Sequence, residues 1–127
     1  MTGAELKTYR EFLGLPTQWM ADHVGVKLRS YLYWESGQKD IPEDVSAAVL
    51  DIYKLVNHEA EQLFSRISQS DDQYCLLTRF KTETELWKAH PEWDTLPMTC
   101  YSTMLGLLMR ELHKQGLSCR LDYENTD

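Results

Sequence analysis

Gly14, Gly25 and Gly37 punctuate the first third of the chain at nearly even intervals, and each follows a run with apolar residues at helical spacing. Glycine is the residue that best tolerates the left-handed backbone just past a helix end. The spacing therefore predicts three short helices in succession and leaves no room there for a long helix or a strand pair. The first opens with Thr2 and Glu5, the spacing of a reciprocal capping box, and carries Leu6, Tyr9 and Leu13 on one face. The second begins near Pro16 and Thr17, with proline suited to a first turn, and runs over Trp19, Met20, Ala21 and Val24. The third lies in KLRSYLYWESG, residues 27–37.

Pro42 followed by Glu43 and Asp44 marks a fourth start, with acids at the positive end of the helix dipole. From there Val45, Val49, Ile52, Val56, Ala60, Leu63 and Ile67 recur at steps of three and four, and Leu50, Tyr53 and Phe64 widen the stripe. A helix this long needs two different neighbours. The polar run SQSDDQ, residues 68–73, suggests a division into 1–70 and 71–127. Beyond it YCLLTRF reads as a strand, and Thr82 with Glu85 opens a helix that Pro91 stops. A last helix over 99–115 follows, with Met104, Leu105, Leu108 and Leu112 on one face. The tail LSCRLDYE alternates apolar and polar. The expected fold is mainly α: an N-terminal helical bundle and a small α+β region, strand-helix-helix-strand. A two-stranded sheet is marginal by itself, so the C-terminal region is expected to dimerise.

The net charge of -7 argues against a nucleic-acid partner until its distribution is considered. Up to residue 39, Lys7, Arg10, Lys27, Arg29 and Lys39 slightly outnumber Glu5, Glu11, Asp22 and Glu35, so the acidic excess lies entirely beyond. An anion would bind in the first third, and the acidic remainder would repel non-specific nucleic acid. No apolar run approaches the length of a membrane span, and MTGAELKTYR lacks the layout of a signal peptide, so a cytoplasmic protein with no membrane partner is expected. Cys75, Cys100 and Cys119 are scattered without a CxxC pair and read as buried reduced thiols. His23, His58, His90 and His113 lack neighbours at ligand spacing, so neither metal nor cofactor is expected. There is no glycine-rich phosphate loop, no nucleophile elbow, and no nucleophile beside the HPEW stretch that Pro91 interrupts. Enzymatic chemistry has no constellation to rest on. Trp87 and Trp93 are expected in the C-terminal core.

Residues 17–37 carry the functional signal. Two helices crossing steeply over a short turn need a small residue at the crossing, glycine in the turn and apolar anchors on the second helix. Ala21, Gly25, Val24, Tyr31 and Trp34 meet these demands. With Tyr31 and Trp34 inward, the outer face shows Leu28 with Leu32 and Arg29 with Tyr33, each pair four apart. In a DNA major groove the leucines meet thymine methyls and Arg29 forks onto guanine O6 and N7, while Lys27 and Ser30 reach phosphates or bases and Tyr33 a base edge or a phosphate. Thr17 and Gln18 either donate to a phosphate at a helix N-terminus or only cap and solvate. Ser36 and Lys39 complete the candidate set. The rival reading buries Leu28 and Leu32 against the second region or a protein partner and leaves Lys27 and Arg29 merely solvated.

GLPTQWMADHVGV followed by YWESGQKDIPEDV resembles the lambda-repressor-like helix-turn-helix family of Cro and CI-type regulators, the XRE-type fold. More narrowly, RSYLYWESG with IPEDV is similar to the YdiL-like regulators, which include anti-CRISPR-associated repressors. The resemblance implies a key base contact by Arg29, an ion pair between Arg10 and Glu35, and subunit pairing through the C-terminal region. Pro16 departs from the family's usual capping serine or threonine, and Trp19 from its usual polar residue. The function expected is a dimeric, sequence-specific repressor, acting on its own operon and binding an inverted repeat of double-stranded DNA. The alternative is a protein-binding module such as the antitoxin of a toxin pair. RNA binding by the same basic helix is possible, but no stacking platform in the sequence supports it.

Overall fold

A computed structural model describes residues 1–70 and 75–124. The chain is mainly helical, with one small parallel sheet. In order come α1 (Gly3–Phe12), α2 (Thr17–His23), α3 (Leu28–Glu35), α4 (Glu43–Ser68), β1 (Leu76–Arg79), α5 (Glu83–Ala89), a 3-10 turn (Pro91–Trp93), α6 (Met98–Lys114) and β2 (Arg120–Tyr123). Packing divides them into two compact units, Met1–Val56 and Asn57–Asp127. The sequence put its division at the polar run; the packed units part earlier, inside the unbroken α4, and residues 71–73 of that run lie outside the described residues.

In the first unit the Thr2 hydroxyl accepts from the Glu5 N–H at 3.1 Å, and the Glu5 carboxylate accepts from the Thr2 N–H at 2.9 Å. Those backbone and hydroxyl donors hold the Glu5 carboxyl below its ordinary pKa. The turns after α2 and α3 close in the same manner. Gly25 and Gly37 take φ of 75° and 81°, and the next residues donate back across the helix end, Val26 to the Ala21 carbonyl and Gln38 to the Tyr33 carbonyl. Pro16 stands at the N-cap of α2, just outside the first turn where the sequence placed it. Its φ of -65° suits either position, so composition does not separate the two. Leu6, Leu13, Leu15, Met20, Ala21, Tyr31, Val45 and Val49 form the core. Tyr53 of α4 meets Tyr9 of α1 edge to face, ring centroids 5.1 Å apart.

The second unit pairs β1 with β2 in parallel, Leu76 opposite Arg120 through Arg79 opposite Tyr123. Tyr74, which the sequence assigns to the first strand, lies outside the described residues. The core holds Leu77, Phe80, Leu86, Trp93, Cys100, Tyr101, Met104, Leu105, Leu108 and Leu112. Trp93 packs edge-on against Tyr101 at 5.3 Å, and the Trp87 indole N–H donates to the Leu96 carbonyl at 3.0 Å.

The cysteine expectation needs correction. Cys75 and Cys119 form a disulfide, with Cα atoms 4.7 Å apart and a sequence separation of 44. Parallel register is the reason: Cys75 precedes Leu76 and Cys119 precedes Arg120, so pairing those two strand residues brings the cysteines face to face. Spacing along the chain carries no trace of this. Cys100 is a buried free thiol, its pKa pushed up to about 12 by burial. Among the described residues no helix is long and apolar enough to cross a membrane.

Candidate nucleic-acid interface

The two sides of α3 are built differently. On the inner side Tyr31 is fully buried, and Trp34 meets it edge to face at 6.0 Å. Glu35, at the end of the helix, receives Arg10 of α1: Nε donates to one carboxylate oxygen at 2.7 Å and Nη2 to the other at 3.1 Å, while Nη1 donates to the Leu15 carbonyl at 3.0 Å. The carboxylate raises the pKa of Arg10 against the opposing effect of burial. The Tyr31 hydroxyl is buried beside Glu35; burial first, and then that carboxylate, push its pKa up. Close approach of α1 fixes this arrangement. A Cβ on Gly3 would sit 2.5 Å from the carbonyl oxygens of Trp34 and Glu35, so only glycine lets the helices meet there.

Away from that inner side, Arg29, Ser30 and Leu32 are exposed, as is Lys27 at the N-cap, and Leu28 is half-buried. Leu32 keeps 43% of its surface in water. Arg29 donates from Nε to the Tyr33 hydroxyl at 2.9 Å, and its guanidinium carbon lies 5.7 Å from the Tyr33 ring centre. Lys39 returns from the turn after α3 to place Nζ 5.3 Å from the same ring centre. The Ser36 hydroxyl donates to the Tyr33 carbonyl at 3.1 Å. Three of the candidate residues, Arg29, Ser36 and Lys39, thus gather around a fourth, Tyr33.

Helix α2 contributes less directly. Gln18 is exposed, but its amide donates to Asp22 Oδ1 at 2.9 Å, and Thr17 is half-buried behind a Pro16 cap that supplies no side-chain acceptor. Trp19, the residue that departs from the resembled pattern, stacks on His23 at 4.6 Å. The sequence named Tyr33 as a contact to a base edge or a phosphate, and missed its hold on Arg29 and Lys39. The four-residue spacing of Arg29 and Tyr33 was a usable signal; the return of Lys39 across the turn had none. Among the described residues no cluster of histidine, cysteine and acidic side chains can hold a metal ion.

The sequence profile of the Aca2/YdiL-like family matches residues 1–117. The chain belongs to the Aca2/YdiL-like family. It is also similar to a protein called the Aca2 repressor, from Pectobacterium phage ZF40, at 43% identity over 53 residues. That stretch is 41% of this chain and 46% of the relative, so the match spans about half the length of the curated protein. Membership in the Aca2/YdiL-like group covers both packed units, since the profile runs through α6.

Proposed function

We propose that this chain is a dimeric, sequence-specific DNA-binding repressor in which α2 and α3 act as a helix-turn-helix and α3 reads the major groove. One observation carries the reading: α3 buries Tyr31 completely while Arg29 on the opposite side, Ser30 and Leu32 on the flanks and Lys27 at the N-cap are all exposed. A guanidinium and an aliphatic side chain presented together suit the mixture of acceptors and methyl groups on base edges. The family and the repressor name of one relative support the same reading. Repression would follow from occlusion of a promoter, with no covalent chemistry.

Residues 71–127 would supply the dimer contact. Leu76, Met109, Leu117 and Tyr123 leave between 39% and 55% of their surfaces exposed, and among the described residues the sheet of the second unit has two strands. Two copies of α3 would then meet half-sites about one helical turn apart, or a multiple of it.

The deciding experiment is a gel-shift titration on the DNA upstream of the protein's own gene, at two salt concentrations. Wild type should discriminate that DNA from a scrambled duplex. Arg29→Ala should weaken specific binding by about 1–3 kcal/mol and relax one base position. Lys27→Ala should lower the salt slope by about one. Equal operator affinity for wild type and Arg29→Ala would refute the reading of α3.

A further inference from the structure

We propose that Tyr33 is the positioning residue of this surface, acting through Arg29 and Lys39. The inference rests on the reading of α3 given above and adds how its reading residue is oriented.

An arginine on an exposed helix samples many rotamers, and binding a base edge fixes it at an entropic cost. Here that freedom is already restricted. Nε donates to the Tyr33 hydroxyl at 2.9 Å, and the guanidinium lies beside the Tyr33 ring. Tyr33 is itself held, because its carbonyl accepts from the Gln38 N–H at 3.0 Å, the Lys39 N–H at 3.3 Å and the Ser36 hydroxyl. The turn so formed carries Lys39 back until its ammonium faces the same ring. One half-buried aromatic side chain therefore sets the direction of two cations that are ten positions apart in the chain.

The hydrogen bond also selects which edge of Arg29 is used. Arginine offers two forked edges, Nε with Nη2 and Nη1 with Nη2. With Nε occupied by Tyr33, a bidentate contact must come from the Nη1–Nη2 end, which matches guanine O6 and N7. The ring's attraction holds Lys39 as a point charge at the rim, suited to a phosphate.

The test uses the full chain carrying Tyr33→Phe, Arg29→Ala and the two together. Tyr33→Phe keeps the ring and removes only the hydroxyl. In the free protein, the Arg29 Nε–H resonance should shift and exchange faster with solvent in Tyr33→Phe, with the melting temperature unchanged. In the titration, Tyr33→Phe should bind the operator roughly three- to tenfold more weakly, the scale of one hydrogen bond, with non-specific binding unaltered. In the Arg29→Ala background the same change should cost nothing, because an effect transmitted through Arg29 disappears with it. Tyr33→Leu, which also releases Lys39, should weaken binding further and reduce the salt slope. The inference is overturned if the Nε–H resonance is the same in wild type and Tyr33→Phe, or if Tyr33→Phe costs as much without Arg29 as with it. The second result would make Tyr33 a direct DNA contact. Failure of wild type to prefer its operator would overturn the DNA reading separately, since the resonance comparison needs no DNA.

Discussion

Arg10 on α1 grips both carboxylate oxygens of Glu35 on α3, with 13% and 6% of the two side chains exposed. Losing one partner strands the other charge in a place water barely reaches. Arg10→Ala should destabilise the first unit by about 3–5 kcal/mol, read as a lower urea midpoint. Replacing both with apolar residues, Arg10→Met with Glu35→Leu, should recover most of that loss. A midpoint for Arg10→Ala equal to wild type would show the pair to be a surface ornament.

Two glycine-to-alanine changes should act in opposite directions. Gly3→Ala places a methyl 2.5 Å from two backbone carbonyl oxygens that have no rotamer to move away with, and should cost about 1–3 kcal/mol. Gly106→Ala, inside α6 with nothing within 4 Å of the new methyl, should gain about 0.5–1 kcal/mol from helix propensity. Thermal melting of the two variants checks both signs.

Leu32 separates binding from folding. With 43% of its surface exposed, Leu32→Ala should leave the melting temperature within about a degree or two of wild type, as surface changes usually do. Its operator affinity should fall by about 1 kcal/mol if the side chain meets a thymine methyl. A large drop in melting temperature would place Leu32 in the core.

Stability should fall in alkali. Burial pushes the Cys100 thiol from 9.0 up to about 12, and the Tyr101 phenol from 10.0 up to about 12 with help from Glu92. Tyr31 is raised too. Above the ordinary values the unfolded chain has released protons that the folded chain retains, so unfolding gains as pH rises. The stabilisation is fully present below about pH 9 and disappears as pH climbs through about 12. A melting temperature unchanged between about pH 8 and 11 would contradict these burials.

Thiol labelling should count the cysteines by their surroundings. Without reductant the native chain should label at no cysteine, and the denatured chain at Cys100 alone, because Cys75 and Cys119 are joined. A link of this separation constrains the denatured chain by about 4 kcal/mol on loop entropy. Reductant should therefore lower the midpoint of the second unit. Two rapidly labelled thiols in the native chain would show that the bridge is absent.

What the sequence disclosed follows the range of the forces involved. Helix starts and stops were readable because capping and left-handed glycines act within a turn, as at Thr2 and Glu5 and at Gly25 and Gly37. The inward side of α3 was readable because Tyr31 and Trp34 share a helical face. The Cys75–Cys119 link was not, because it depends on the register of two strands separated by α5 and α6. Nor was the seat of Lys39 on Tyr33, which depends on how a single turn closes. The first failure turns on tertiary packing, the second on the closure of a local turn that no residue pattern marks.

The parallel alignment of β1 and β2 has a consequence for biosynthesis. An antiparallel hairpin can zip up as soon as its turn leaves the ribosome, whereas these strands cannot meet until both intervening helices have emerged and folded back. The first unit, built from neighbouring helices, can mature while the other is still being translated. During that interval Leu76 and Leu77 wait without their strand partner, and the nascent chain is most open to rescue by chaperones or to misassociation with a neighbouring polysome.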